Sequence, residues 1–116
     1  MNVKEKIKVY IKPDSWVAFL AARRLNASSL AIVFGHTIYL HKTTPDKFLA
    51  SKRWVLHELK HVEQYERLGF LLFLYTYLKE SLKNGYQRNA LEIEARQAEN
   101  EDGLWEKYKL IIRKPS

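Results

Sequence analysis

The chain has 116 residues and a mass of 13.8 kDa, which is the size of one domain with a single hydrophobic core. Hydrophobic residues make up 47% of it and charged residues 28%, which excludes a disordered tail and a fibrous repeat. The absence of cysteine excludes a disulfide scaffold, a thiolate metal site and a thiol nucleophile. We therefore predict a single domain over residues 1–116.

The formal net charge of +7 favours an anionic partner, such as nucleic acid or a membrane surface. The surplus belongs to one half, since residues 1–60 hold 11 Lys and Arg against 4 Asp and Glu, whereas residues 61–116 hold 9 of each kind. No recognised nucleic-acid motif accompanies these charges, so we interpret them as a solvated basic face and expect no nucleic-acid partner. The basic residues concerned are Lys4, Lys6, Lys8, Lys12, Arg23 and Arg24.

Neither a secretory signal nor a membrane span is predicted. Met1–Lys12 alternates charged and apolar residues and has no apolar core or small-residue cleavage site. The most apolar stretch, Gly69–Leu78, has ten residues, whereas a membrane-spanning helix needs about 20. We expect this stretch to form a core helix, with a membrane-surface patch as the alternative, and the protein to be cytoplasmic.

The first half of the chain favours strands. Lys6–Ile11 alternates polar and apolar residues, which predicts a half-buried strand. Apolar residues then recur at helical spacing from Asp14 to Leu25. Leu30–Phe34 and Thr37–His41 are rich in β-forming residues, and the dipeptide Gly35-His36 between them is typical of a two-residue hairpin.

The second half favours helices. Thr44 is a predicted N-cap, and the helix that follows it extends from Pro45 to about Arg67. Further helices are predicted over residues 70–82 and 88–100, whereas residues 104–112 fit either a short helix or a strand. The pattern predicts an α+β fold in which a small antiparallel sheet is followed by packed helices.

The predicted helix 45–67 contains the segment His-Glu-Leu-Lys-His, which matches H-E-x-x-H. An i, i+4 spacing places His57 and His61 on one face, so both imidazoles can reach one metal ion. Glu58 lies beside that face, close enough to accept a proton from an activated water. The alternative is an ordinary exposed pair of histidines, but a row of apolar residues flanks them and indicates a position at the core boundary. This row consists of Val55, Leu59 and Val62.

A catalytic zinc site needs a third protein ligand. The third histidine of the metzincin motif is missing, because Gln64 and Arg67 stand where its glycine and histidine would be. A carboxylate from a later helix is therefore expected, and residues 89–99 contain three glutamates. Zinc is the predicted metal, although non-haem iron also accepts two histidines and a carboxylate.

Glu92 is the strongest candidate among these glutamates. Small residues at Ala95 and Ala98 would allow its helix to approach the helix of the histidines closely. Glu94 points about 160° away from Glu92, so both side chains cannot bind one ion. The alternative for Glu92 is an exposed position paired with arginines one turn away.

The combination of H-E-x-x-H with N-x-x-E-x-E-A some 30 residues later resembles the gluzincin zinc peptidases. It is most similar to the minigluzincins and to a bacterial domain family with H-E-x-x-H and E-x-E-A-D. The resemblance implies a minimal zincin-like metallopeptidase fold in which His57, His61 and Glu92 bind Zn²⁺ and Glu58 is the general base. It also implies that an edge strand holds an extended peptide by β-augmentation. The residues of that strand are Thr37, Ile38, Tyr39, Leu40 and His41.

Arg96 departs from the family pattern, which has an aspartate there. An aspartate four residues beyond the ligand glutamate could orient a zinc-binding histidine through its second nitrogen, and an arginine cannot accept that hydrogen bond. Three alternatives follow: Glu99 takes this role, a backbone carbonyl takes it, or the site is weaker.

The predicted function is hydrolysis of a peptide or protein substrate by a zinc-dependent metallopeptidase. The alternative is a zinc-binding interaction or assembly module with weak or no activity. Because one small domain leaves half of a cleft to be supplied, a homodimer or another partner could complete it. Four residues are candidates for stabilising the oxyanion of the reaction: His36, His41, Tyr65 and Tyr86.

Overall fold

A computed structural model describes residues 5–16, 18–19 and 30–114. Most of the helix predicted from Asp14 to Leu25 lies outside this range. Within it, Trp16, Ala18 and Phe19 are helical, and the Phe19 amide donates to the Ser15 carbonyl over 2.9 Å. No helix of the described residues is both long and apolar enough to cross a membrane.

Four strands form one sheet, β1 (Ile7–Lys12), β2 (Leu30–Phe34), β3 (Thr37–His41) and β4 (Tyr108–Ile112). Their order is β2-β3-β1-β4, with β2 and β3 antiparallel and β1 parallel to both of its neighbours. The hairpin is confirmed, with Gly35 in the left-handed region at φ 61°. The prediction of an antiparallel sheet is wrong, because the sheet is mixed. The α+β class itself is confirmed.

The assignment of Thr37–His41 as an edge strand is also wrong. β3 lies inside the sheet, paired with β2 on one side and with β1 on the other. Thr37, Ile38 and Tyr39 face partners in both neighbours, and the Leu40 carbonyl accepts from the Ser15 amide. His41 is paired with Leu30 of β2. Among the strands of the described residues β2 and β4 are the outer ones, so a peptide cannot be added along β3.

Five helices have described bounds: α1 (Pro45–Ala50), α2 (Lys52–Leu68), α3 (Phe70–Asn84), α4 (Ala90–Gln97) and α5 (Gly103–Lys107). The first two were predicted as one helix, but Ser51 interrupts it with an extended conformation. The Ser51 hydroxyl accepts from the Trp54 amide and so begins α2, which carries H-E-x-x-H. Short 3₁₀ turns over Tyr86–Arg88 and Ala98–Asn100 flank α4. The unassigned segment 104–112 contains the end of α5 and then β4.

The core lies between the sheet and α2. One side of α2 buries an apolar row against the inward side chains of the central strands, which is the amphipathic arrangement expected for a core helix. The Tyr65 hydroxyl, near the end of α2, donates to the Val33 carbonyl over 3.0 Å and joins the helix to the edge strand β2. The buried residues of α2 include Val55, Leu56, Leu59 and Val62.

Asn89 fixes the start of α4. Its carbonyl oxygen accepts from the Leu91 amide, and its amide group donates to the Tyr77 carbonyl and the Ser81 hydroxyl of α3. The side chain is fully buried, so these bonds replace contacts that water would otherwise make. Asn89 therefore sets the position of α4, including Glu92 in its first turn, relative to α3.

Replacing Asn89 by alanine is expected to lower the free energy of unfolding by about 2–3 kcal/mol, because it removes an N-cap and two buried hydrogen bonds. Urea denaturation followed by circular dichroism measures this loss. Asn84→Ala is the matched control, since Asn84 is exposed and bonds only Glu80 among the described residues. Equal stability losses in the two variants would contradict the role assigned to Asn89.

Candidate metal centre

Two helices bring His57, His61 and Glu92 together. The Nε2 atoms of His57 and His61 lie 3.0 and 3.1 Å from the same Glu92 oxygen, Oε1. One candidate ligand atom from each of the three side chains lies within 4.8 Å of the others. The structure thus brings together the three residues that the sequence analysis selected as metal ligands.

The second nitrogen of His57 is held by Glu99. Nδ1 lies 2.9 Å from Glu99 Oε2, and the other Glu99 oxygen accepts from Arg53 over 3.2 Å. Of the alternatives left open for the position of Arg96, the structure supports the first, since Glu99 takes the role of the missing aspartate. Arg96 itself turns away and donates to the Gln87 carbonyl.

The second nitrogen of His61 is held by Gln64, which the sequence analysis considered only as a departure from another motif. Gln64 Oε1 accepts from Nδ1 of His61 over 2.8 Å. Its amide nitrogen donates to the Leu91 carbonyl and to Glu94, which fixes the direction of the amide. The sequence did contain a signal for this role of Gln64, because Gln64 is a polar residue three positions after His61, on a face of α2 that is otherwise apolar and buried.

Tyr77 of α3 was not selected from the sequence. Its hydroxyl donates to Oε2 of Glu92, the oxygen that does not face the histidines. Burial and the negative charge of Glu92 together raise the pKa of the Tyr77 hydroxyl, which keeps it a donor. No short-range sequence pattern identifies this contact, because it depends on how α3 packs against α4.

Glu58 lies beside the histidines and is buried. Burial raises the pKa of its carboxyl group to about 7, although the neighbouring positive charges of His61 and His57 oppose the shift. Glu58 is not among the residues that form side-chain hydrogen bonds in the described part of the chain. Its carboxyl group is therefore available to a small molecule that enters the site.

The three candidate ligands shift one another's pKa. Burial disfavours the charged form of His57, but the hydrogen bond to Glu92 and the nearby carboxylates outweigh it and raise its pKa to about 9. The pKa of His61 is raised for the same reasons. Burial would raise the pKa of Glu92, but the hydrogen bonds from both histidines lower it instead. The Glu92 carboxylate thus favours the protonated forms of the two imidazoles that it faces.

This donor set fits a zinc ion. Loss of one proton from each imidazole would free Nε2 as a metal ligand, while Nδ1 stays bonded to Glu99 or Gln64. Two imidazole nitrogens and one carboxylate oxygen are a common protein ligand set for catalytic zinc. The orientation of both rings is therefore set by side chains that would not contact the metal.

A pocket of about 360 Å³ opens beside His57. Its lining includes Arg53 and Trp54 from the first turn of α2, together with Glu99. Among the candidate ligands only His57 lines it, next to the Glu99 carboxylate that holds Nδ1. The lining is completed by Ser51.

The four candidates for an oxyanion stabiliser occupy different places. His36 bonds Glu66 over 2.9 Å, and His41 packs edge-to-face on Phe19. Tyr65 donates to the backbone of β2. Tyr86 alone of the four interacts with the site: burial raises the pKa of its hydroxyl, and so do the charges of Glu92 and Glu58.

The free energy of unfolding of the protein in a metal chelator is expected to fall as the pH rises from 6.5 to 9. The raised pKa of His57 means that its stabilising contribution is complete below 6.5 and lost by about 9. The shift corresponds to about 3 kcal/mol, which solvent screening of the partly exposed ring lowers to about 2 kcal/mol. The raised pKa of Glu58 acts in the same direction between 4.5 and 7. Urea denaturation across this range measures the loss.

His57→Gln is the informative comparison, because it should remove the His57 share of the slope between pH 6.5 and 9 and leave the share of His61. Stability of the wild type that stays level or increases over that window would contradict the paired charges described for the site.

Comparison of the chain with protein-family models, with curated proteins and with solved structures gives no match. The resemblance carried by H-E-x-x-H and N-x-x-E-x-E-A stays an expectation from the sequence. The structure adds the grouping of His57, His61 and Glu92 and the side chains that hold them.

Proposed function

We propose that the protein is a zinc-dependent metallopeptidase. The observation that carries this proposal is the convergence of two imidazole Nε2 atoms on one carboxylate oxygen, with a buried carboxyl group next to them. His57, His61 and Glu92 would hold the ion, and Glu58 would act in proton transfer. Peptide hydrolysis by a metal-activated water needs metal ligands and a general base but no cysteine nucleophile, and these residues meet that requirement.

Zinc, when bound, supplies a Lewis acid that activates water and polarises a carbonyl group. Glu58 accepts the proton released by the attacking water and passes it to the departing amine. Burial raises the pKa of the Glu58 carboxyl group in the metal-free site, and a general base works best when its pKa lies close to the working pH. Tyr86, which interacts with Glu92, is the best placed of the four candidates for donating to an oxyanion.

The substrate strand must be reassigned, because β3 has neighbours on both sides. β2 is an open edge and packs against α2, so an extended peptide would pair along Leu30–Phe34 instead. The Val33 carbonyl at this edge is already used by Tyr65. Strand pairing on β2 is therefore restricted to the part of the edge before Val33.

The alternative of an inactive zinc-binding module rested on Arg96. That reason is weakened, since Glu99 orients His57 in place of the family's aspartate. The three candidate ligands come from one chain and do not depend on a second copy or another protein to complete the cleft. The experiments below distinguish the peptidase from an inactive interaction module.

Untagged wild-type protein is expected to bind about one zinc ion per chain, because the site has one set of three ligands. Glu92→Gln should reduce zinc content severely, since it removes the only anionic ligand. Glu58→Gln should keep the zinc but lose at least about 100-fold in peptide cleavage, the contribution expected of a general base. Metal analysis by mass spectrometry and a fluorogenic peptide library measure the two effects.

Glu106→Gln is the control for both measurements, because Glu106 is exposed on α5, away from the site. Zinc well below one ion per chain in metal-saturated wild type would disprove the metal centre. Stoichiometric zinc without cleavage of any peptide would disprove the peptidase and favour the interaction module.

Glu99→Gln is expected to weaken zinc binding by about 10- to 100-fold, because a charged acceptor for Nδ1 of His57 orients the ring and makes it a stronger ligand. Competition with a chromophoric chelator measures the dissociation constant. Arg53→Gln is the matched control, since it removes the other partner of Glu99 and leaves the bond to His57 in place. A larger effect from Arg53→Gln than from Glu99→Gln would reverse the assigned roles.

A further inference from the structure

The outer face of α3 exposes an unusual amount of apolar surface. Four large side chains on this helix, Leu71, Tyr75, Leu78 and Leu82, have exposed fractions between 61% and 80%. At about 100° per residue they fall within an arc of about 60°, so they form one continuous line along the helix. We name these four residues the apolar stripe. Continuous exposed apolar surface of this kind marks a binding site more often than scattered single residues do.

The opposite side of α3 faces the protein. Phe73 is buried, and its ring stacks on Tyr65 with a centroid distance of 3.7 Å. Tyr77 reaches Glu92 on the same inner side. The expectation of a core helix over Gly69–Leu78 therefore holds only for the inner face of α3, and the apolar stripe is largely exposed.

The charges near the apolar stripe are positive. Lys79 and Lys83 line the same shallow groove as Tyr75 and Leu82, and neither forms an ion pair in the described part of the chain. The only acidic residue of α3, Glu80, accepts hydrogen bonds from the Ala90 amide and from Asn84. No negative charge of this helix is therefore directed toward the surface that the two lysines border.

We propose that α3 binds the protein to a lipid surface that carries anionic headgroups. An amphipathic helix with leucine and tyrosine on one face and lysine at its border lies in the plane of a membrane, with its apolar side chains about 5–10 Å deep. The lysines then meet negative headgroups, each adding attraction at the surface. This attachment requires no spanning helix, in agreement with the described residues.

The charges distinguish a lipid surface from a second copy of the chain. A symmetric dimer that buried the apolar stripe would bring Lys79 and Lys83 of both copies to one interface, where like charges repel. An anionic membrane supplies the opposite charge and accepts leucine and tyrosine side chains without requiring a complementary shape. Charge complementarity therefore favours the lipid surface.

Attachment through α3 would place the candidate metal centre close to the membrane, because the same helix contacts Glu92 through Tyr77. The proposal does not depend on catalysis, since it uses only the outer face of α3. It would hold whether or not the protein cleaves peptides.

Flotation with vesicles tests the proposal on the full chain. Wild type is expected to bind vesicles of phosphatidylcholine with 30% phosphatidylglycerol at least tenfold more tightly than vesicles of phosphatidylcholine alone, because two lysines contribute to binding. Leu71→Gln/Leu82→Gln should reduce this binding at least tenfold by removing exposed apolar contacts. Circular dichroism checks that the fold is kept, which is expected because both leucines are exposed.

Lys79→Gln/Lys83→Gln should reduce binding to the anionic vesicles about 30-fold, because each lysine near an anionic surface strengthens binding about fivefold. The control Lys8→Gln/Lys109→Gln removes the same charge from paired positions of β1 and β4 and should change binding less than threefold. Absence of vesicle binding, or equal losses in the two lysine variants, would overturn the proposal. A wild-type dimer in light scattering that Leu71→Gln/Leu82→Gln converts to a monomer, without vesicle binding, would assign the apolar stripe to a second copy.

Discussion

The structure depends on one buried negative charge, the Glu92 carboxylate, placed between two helices. An ionised carboxylate loses several kcal/mol of hydration when it is buried, so it must be surrounded by donors or by a cation. Oε1 faces the imidazoles of His57 and His61, and Oε2 accepts from Tyr77. These contacts fix how closely α4 approaches α2 and α3, and they explain why the chain keeps polar residues in so small a core.

The histidines that neutralise Glu92 need hydrogen-bond partners of their own. Each histidine that faces Glu92 needs an acceptor for its other nitrogen, and Glu99 and Gln64 supply them. Glu99 comes from the 3₁₀ turn that ends α4, whereas Gln64 lies one turn beyond His61 on α2. Asn89 holds the other end of α4 against α3. The short helix α4 is thus held at both ends, which suits an element that positions a ligand.

Local patterns in the sequence predicted what is local in the structure. The hairpin follows from a two-residue turn between β-rich segments, and the pairing of His57 with His61 follows from helical periodicity. Glu92 could be selected because Ala95 and Ala98 would let its helix approach α2 closely, while spacing excluded binding by both Glu92 and Glu94. The contact of Tyr77 with Glu92 was missed because it depends on how separate helices pack, whereas the contact of Gln64 with His61 is local to α2 and was overlooked.

The errors have the same origin. Strand segments were recognised, but their order depends on where β1 inserts, and this made β3 an inner strand. The break at Ser51 was missed because the flanking residues continue the helical pattern, while the serine hydroxyl offers the backbone an alternative partner.

The parallel pairing of β1 with β4 has a consequence for the order of folding. Its partners, such as Ile7 and Tyr108, are about 100 residues apart in the chain, whereas every contact of the candidate metal centre falls between His57 and Glu99. Closing the longer loop costs more chain entropy and slows the formation of its contacts. The helices around Glu92 can therefore assemble early, and β4 would pair with β1 after the candidate metal centre has formed.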